Sequence, residues 1–272
     1  MARPAVTIAI RAARAAGSVI LRYMNRLDSV VVTEKRHLDF VSEVDRQAEA
    51  EIVRELRRAY PDHAIMAEES GASGKAGARF TWAVDPLDGT HNYLRGIPQF
   101  AVSIAQLDRG EPVHAVILDP LRNELFTASK GDGAFLNDRR IRVGKRESLD
   151  GAMLATGFPY RQRQHLDAQL GMTREVLKRA EDIRRFGSAA LDLAWTANGR
   201  LDGYFETGLE VWDMAAGCLL VREAGGRYCD MTGRDGVPES GNIVAANHLL
   251  AGQIVEAIAP ALTSALKHRA AT

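Results

Sequence analysis

The chain is short of cysteine, of aromatic residues and of net charge, and each shortage removes a class of protein. Its 272 residues hold two cysteines, Cys218 and Cys229, with neither Cys-x-x-Cys nor zinc spacing. That excludes a disulfide scaffold and a thiolate metal site, and reads as two buried free thiols in a reducing cytosol. Thirty-five basic residues balance thirty-five acidic ones, so no bulk charge draws the chain to nucleic acid or an anionic membrane. No uninterrupted apolar run approaches the roughly 20 residues that span a bilayer. The seven histidines are scattered, with no i, i+4 pair, which argues against a His-based metal site. Repeats, low-complexity tracts and linkers are absent as well.

What is present is periodicity over a length that supports a sizeable core. Residues 1–27 carry five arginines and no acid, the composition of a transit peptide. Yet Val6, Ile10, Ala13, Ile20, Met24 and Leu27 recur at three- and four-residue steps, which predicts a first helix of the domain. SVVVTEK is expected as a strand, followed by an amphipathic helix beginning at Asp45 with Ala48, Ile52, Leu56 and Ala59 on one face. HAIMAEES reads as a short strand before the small-residue loop GASGKAGAR. FTWAVDP reads as a buried strand that Pro86 ends, because proline offers no N–H to a ladder. Between 100 and 143, FAVSIAQLD, EPVHAVILD, NELFTAS and AFLNDRRIRV form a β-meander, with Asp132 a turn residue only. From about 150, strands alternate with helices, and Asn198-Gly199 and Gly225-Gly226 mark helix ends. The expectation is one domain over 5–265: an α+β half to about 145 with a large antiparallel sheet, then an α/β half over about 146–272.

The stretch WAVDPLDGTHNY, residues 82–93, sets Asp85 and Asp88 three apart around Pro86. Asp-Pro and Asp-Gly are turn dipeptides, so a plain turn accounts for them locally. Glu68 and Glu69 end a strand, and Asp45 and Asp213 begin helices. Alone, the last two read as caps or first-turn acids, and Glu68 as a strand-end surface residue. Strand ends and helix starts meet at sheet rims. Four carboxylates gathered there repel one another, and with no neighbouring basic run a divalent cation is the natural neutraliser. An oxygen-only donor set points to Mg²⁺ over Zn²⁺. Pro86 would free the Leu87 carbonyl from the ladder, Gly89 would let backbone approach closely, and a helix starting near Thr90 would aim N–H groups at an anion. Two Mg²⁺ beside such a helix start suit phosphoryl transfer to water.

AEES, WAVDPLDGT and VWDMAAGCLLVREAGG, in this order, resemble the signature set of the inositol monophosphatase family. RNELFTA, LATGFP, RRFGSAALDLA and GNIVAAN resemble its bacterial SuhB-type branch, and the likeness runs over roughly residues 5 to 265. The resemblance implies a layered αβαβα sandwich of the inositol monophosphatase/fructose-1,6-bisphosphatase type. It implies hydrolysis of a small phosphate ester, myo-inositol 1-phosphate first, by in-line attack of water without a phosphoenzyme. It implies two or three Mg²⁺ per site, lithium sensitivity, a cytoplasmic location and a homodimer. Carried over, Glu68, Asp85 and the Leu87 carbonyl bind one metal, and Asp85, Asp88 and Asp213 the second. Thr90, supported by Asp45, orients the attacking water, with Glu68 near it. Leu87, Asp88, Gly89, Thr90 and Asp213 adjoin the phosphate, held by the Gly89 and Thr90 amides, while Gly187, Ser188, Ala189 and Glu206 contact the sugar alcohol. Lys35 matches a family lysine loosely. His91 stands where a second threonine is usual.

Two alternatives stay open and two close. A haloacid-dehalogenase-type phosphatase needs a nucleophilic aspartate two positions before Asp88, where this chain has Pro86. GASGK is no P-loop: its glycine spacing is short, and Ala76 stands where Ser or Thr would bind Mg²⁺. A sugar bisphosphate, a nucleotide 3′-phosphate or histidinol phosphate competes as substrate. A binding role also survives, since SuhB-type members are associated with transcription antitermination through protein contacts. Its candidate surface is RRFG, with Arg184 and Arg185, against the plainer reading of a solvated strand edge.

Overall fold

In the computed structural model of the chain, the described residues are 3–24, 26–27, 30–36, 39–159 and 161–267, without the side chains of 34–36 and 39–41. Helix α1 (Pro4–Met24) buries Val6, Ala13 and Ile20 of the predicted stripe together with Ala9 and Ala16, whereas Ile10 and Met24 are only half-buried and Leu27 lies beyond its end. By length and composition α1 could cross a membrane, since Arg11 and Arg14 interrupt its apolar sequence but not its apolar face. Here that face packs on a second helix and a sheet.

Strands β1 (Val32–Arg36) and β2 (Asp39–Ser42) form a hairpin leading into α2 (Glu43–Ala59). This helix begins two residues before Asp45: Ser42 is its N-cap, and Asp45 is the third helical residue of a capping box. Next come β3 (Ala64–Ala67), β4 (Gly71–Ser73), β5 (Phe80–Asp88), the one-turn α3 (Thr90–Leu94), β6 (Ala101–Asp108), β7 (Glu111–Asp119), β8 (Glu124–Ser129), β9 (Gly133–Leu136) and β10 (Arg139–Arg140). They make an eight-stranded sheet in the order β10-β9-β8-β7-β6-β5-β3-β4, antiparallel except for β3 beside β5.

Three details depart from the sequence reading. The start of GASGKAGAR is a strand, because β3 offers an open edge to pair with. AFLNDRRIRV is two strands, because Asn137 and Asp138 adopt positive φ of 45° and 62° and reverse the chain between β9 and β10. Asp132 is more than a turn residue, since it accepts from Arg3 Nε at 2.8 Å and ties the start of α1 to the β8–β9 turn.

The remaining elements are β11 (Met153–Thr156), α4 (Leu166–Leu177), β12 (Asp182–Arg184), α5 (Ala189–Ala197), β13 (Gly203–Glu206), α6 (Val211–Glu223), β14 (Arg227–Asp230), β15 (Ile243–Ala246), α7 (His248–Ile258) and α8 (Ser264–Lys267). The second sheet, β12-β11-β13-β15-β14, is parallel across its first three strands and antiparallel across β13-β15-β14.

Pleating assigns alternate residues to different layers. Trp82 and Val84 of β5 face a core built with α1 and α2, while Ala83 faces a middle core with α5 and α6. That middle core also takes Ala155, Tyr204 and Ala245 from the second sheet. A third core lies between the far face of that sheet and α4 and α7. The order is helix, sheet, helix, sheet, helix: the αβαβα sandwich. Fully buried Leu191, Leu193, Leu219 and Leu220 of the central helices contribute about 1.5–3 kcal/mol each on withdrawal from water. Cys218 and Cys229 are both buried free thiols.

Candidate active site

β5 does not stop at Pro86. Asp85 pairs with Ser103 and Asp88 with Ala101, so three steps on β5 face two on β6. The extra residue is a β-bulge, which lets a strand carry a proline without losing its partner. Inside it Leu87 N donates to Asp85 Oδ1 at 2.9 Å, and the Leu87 carbonyl accepts from Thr90 Oγ1 at 3.0 Å. Gly89 follows with φ 99° as the N-cap of α3. A Cβ there would stand 2.8 Å from the Gln99 carbonyl and 3.2 Å from that of Gly187, so both conformation and space require glycine.

Each distant acid is brought to this bulge by a separate element. Glu68 N donates to Val84 O at 3.1 Å, which fixes the residue beside the end of β5. Glu49 of α2 supports the same turn by accepting from Glu69 N and Ser70 N. Asp213 is the third residue of α6 and closes a capping box, accepting from Glu210 N at 2.8 Å. Asp45, buried in α2, accepts from Ser42 N at 2.9 Å on one oxygen and from Thr90 Oγ1 at 2.9 Å on the other. Asp88 Oδ2 accepts from Ser188 Oγ at 2.6 Å and Ala190 N at 2.7 Å, which joins β5 to the start of α5.

Glu68, Asp85, Asp88, Thr90 and Asp213 line one pocket. Leu87, Gly89, Gly187, Ser188, Ala189 and Glu206 line it too. Asp45 stands behind Thr90. Burial, reinforced by the charge of Glu68, lifts the carboxyl groups of Asp85 and Asp213 well above the ordinary range. Burial carries Asp88 to about 6 despite its Ser188 bond, and Glu206 to about 7 despite a bond from Tyr204. The same cause raises Asp45. Buried acids this close cannot all ionise without cationic help.

Among the described residues, no three acid, histidine or cysteine side chains are already closed around a common point. The donor set nonetheless fits a hard divalent cation. Asp85 and Asp213 each spend one oxygen on a backbone N–H, and the other oxygen of each has no donor among the described residues. With the Leu87 carbonyl, outside the sheet ladder, this makes an all-oxygen wall suited to Mg²⁺.

Several groups in or behind the pocket gave no local signal in the sequence. Arg161, 93 positions from Glu68, donates to Glu68 Oε1 at 3.1 Å, so a basic partner does reach the acids. Asp192 of α5 is buried, its Oδ1 has no hydrogen-bond partner among the described residues, and burial, then Glu206, hold it well above the ordinary carboxyl range. In RRFG the two arginines diverge: Arg184 pairs with Asp182, whereas Arg185 lines the pocket, so they do not form one outward-facing pair. His91 also lines the pocket. Lys35 has backbone in β1, and its side chain lies outside the described residues.

Residues 1–266 match the sequence model of the inositol monophosphatase family. The chain is 54% identical over 264 residues to the Nus factor SuhB of Xylella fastidiosa, covering 95% of each. Among solved structures it resembles the extragenic suppressor protein suhB of Bartonella henselae, with a TM-score of 0.91, 42% identity and coverage of 94% and 98%. It also resembles an inositol monophosphatase from Anabaena, with a TM-score of 0.84, 37% identity and coverage of 94% and 95%.

Proposed function

The chain belongs to the inositol monophosphatase family, and we propose that it is a Mg²⁺-dependent phosphomonoesterase that hydrolyses myo-inositol 1-phosphate to myo-inositol and phosphate. The observation that carries this reading is the convergence of Glu68, Asp85, Asp88 and Asp213 on one pocket beside the Thr90–Asp45 hydrogen bond. In this reading Glu68, Asp85 and the Leu87 carbonyl hold one Mg²⁺, and Asp85, Asp88 and Asp213 hold another. When bound, the ions supply charge neutralisation and Lewis-acid polarisation at the phosphate and the attacking water. Thr90 Oγ1, held by Asp45, orients that water, and Glu68 stands close enough to share it. The Gly89 and Thr90 amides face the phosphate. Gly187, Ser188, Ala189 and Glu206 face the alcohol. A cytoplasmic homodimer inhibited by lithium completes the proposal.

The test is phosphate release from myo-inositol 1-phosphate with Mg²⁺, repeated with EDTA and with millimolar Li⁺. Release that needs Mg²⁺ and falls with Li⁺ supports the reading. No release from this ester, with release from a sugar bisphosphate, a nucleotide 3′-phosphate or histidinol phosphate, moves the substrate and keeps the chemistry.

The name Nus factor carried by the Xylella relative favours a second role for this chain, protein contact within a transcription antitermination complex. Binding to a transcription partner that persists in Asp85→Asn protein separates that role from hydrolysis. Loss of both together argues against an independent one.

A further inference from the structure

Glu206 lines the pocket, but what fixes it lies behind the wall. Tyr204, two residues earlier on β13, has its side chain on the same face of the strand and is fully buried. Its hydroxyl donates to Glu206 Oε2, and among the described residues it is the only hydrogen-bond donor to that carboxylate. The carboxylate lies flat over Gly157, where a Cβ would come 2.0 Å from Oε1 and 2.2 Å from Oε2. Gly157 does not take positive φ, so glycine is required here for space alone. With Gly157 below and Tyr204 on Oε2, Oε1 is the oxygen left for a ligand.

We propose that Tyr204 is a positioning residue for substrate: through its hydroxyl it fixes Glu206 as a hydroxyl acceptor for the polyol part of the phosphate ester. This rests on the phosphatase reading above.

The electrostatics agree with the geometry. Burial, then the neighbouring carboxylates Glu206 and Asp192, hold the Tyr204 hydroxyl protonated far above its ordinary range, so it is a permanent donor. The groups facing Glu206 from other elements are Arg185, which favours its charge, and Asp88, which opposes it. Asp192 faces it from α5, its own ionisation opposed first by burial. Burial disfavours the ionised Glu206, and the Tyr204 bond is the largest influence in the opposite direction. Removing the hydroxyl therefore raises the pH at which Glu206 ionises, and at neutral pH less of it is an acceptor-only carboxylate.

The experiment compares wild type, Tyr204→Phe, Glu206→Gln and the double variant, with thermal melts establishing that each is folded. In Tyr204→Phe, KM for the ester rises about tenfold at pH 7, the scale of a charge-assisted hydrogen bond. In the same variant kcat changes less than about threefold, as for lost substrate binding. The acid limb of kcat/KM moves to higher pH, so KM recovers toward the wild-type value at pH 9. In the Glu206→Gln background, adding Tyr204→Phe changes KM no further. An unmoved acid limb, or an equal KM penalty in both backgrounds, overturns the proposal. Carbon-13 NMR titration of the Glu206 carboxyl reads the link without turnover: its ionisation moves to higher pH in Tyr204→Phe, and an unchanged titration overturns the inference. Wild-type protein that releases no phosphate would instead sink the phosphatase reading, which the NMR titration does not depend on.

Discussion

Thr90 Oγ1 lies 2.9 Å from Asp45 Oδ1, a bond between residues 45 apart in sequence that ties the start of α3 to the first turn of α2. Ser42 holds the opposite oxygen of the same aspartate, so one carboxylate caps a helix and supports a pocket residue at once. If the proposed function holds, stability and turnover are therefore linked at this point.

Ser42→Ala removes the side-chain cap on Val44 N and Asp45 N. The expected cost is about 1 kcal/mol, or about 2–4 °C in Tm for a chain of this size. It also removes the hydrogen bond that Ser42 Oγ donates to Asp45 Oδ2, which leaves Asp45 less able to hold Thr90, so kcat falls with Tm. A melt and a progress curve on one preparation check both, and a lower Tm at full kcat would break the link.

Asp88→Asn should lower turnover by about a hundredfold or more, on the scale of losing one essential electrostatic partner. The fold should survive, since an amide oxygen can still accept from Ser188 Oγ and Ala190 N. Phosphate release together with circular dichroism decides this. Wild-type turnover in the variant would remove Asp88 from the chemistry.

The pH dependence of metal-free stability has a defined sign. Glu206 ionises at about 7 in the folded chain and at about 4.3 when unfolded. Between those values the folded state keeps a proton the unfolded state has lost, so this residue makes stability fall as pH rises from about 4.3 to 7. Urea midpoints in EDTA at pH 5 and pH 8 should therefore differ less in Glu206→Gln than in wild type. Equal differences would show that the residue contributes nothing to the slope.

In the proposed reading, Arg161 and an incoming cation compete for Glu68. Because the pair is partly exposed, its loss in Arg161→Gln should tighten Mg²⁺ binding by only about two- to fivefold. Calorimetric titration of Mg²⁺ into EDTA-stripped, dialysed protein reads this directly. Weaker binding in the variant would mean that Arg161 assists the ion.

Much of the site was legible because its signals are local. The bulge needs Asp-Pro-Leu-Asp-Gly in that order: proline to leave the ladder, glycine to turn at φ 99° against the Gln99 carbonyl. Asp213 after Trp212 marks a helix start, and Glu68 a strand end. Errors arose where a neighbour overrode a local rule. Proline ends an isolated strand, but here β6 keeps its partner by tolerating a bulge. Arg11 and Arg14 break the apolar run of α1 in the sequence, though not the apolar face of the helix.

The sequence by itself determined the family, the period of each main element and the acids that turn chemistry places at element ends. Only the tertiary structure decided what stands behind and beside those acids. Arg161 beside Glu68, Tyr204 behind Glu206, the burial of Asp192 and the divergence of Arg184 from Arg185 depend on which elements pack together. The physical reason is range: backbone conformation is set within a few residues, whereas ion pairing, desolvation and room for a carboxylate over Gly157 depend on atoms that the chain brings together from far apart.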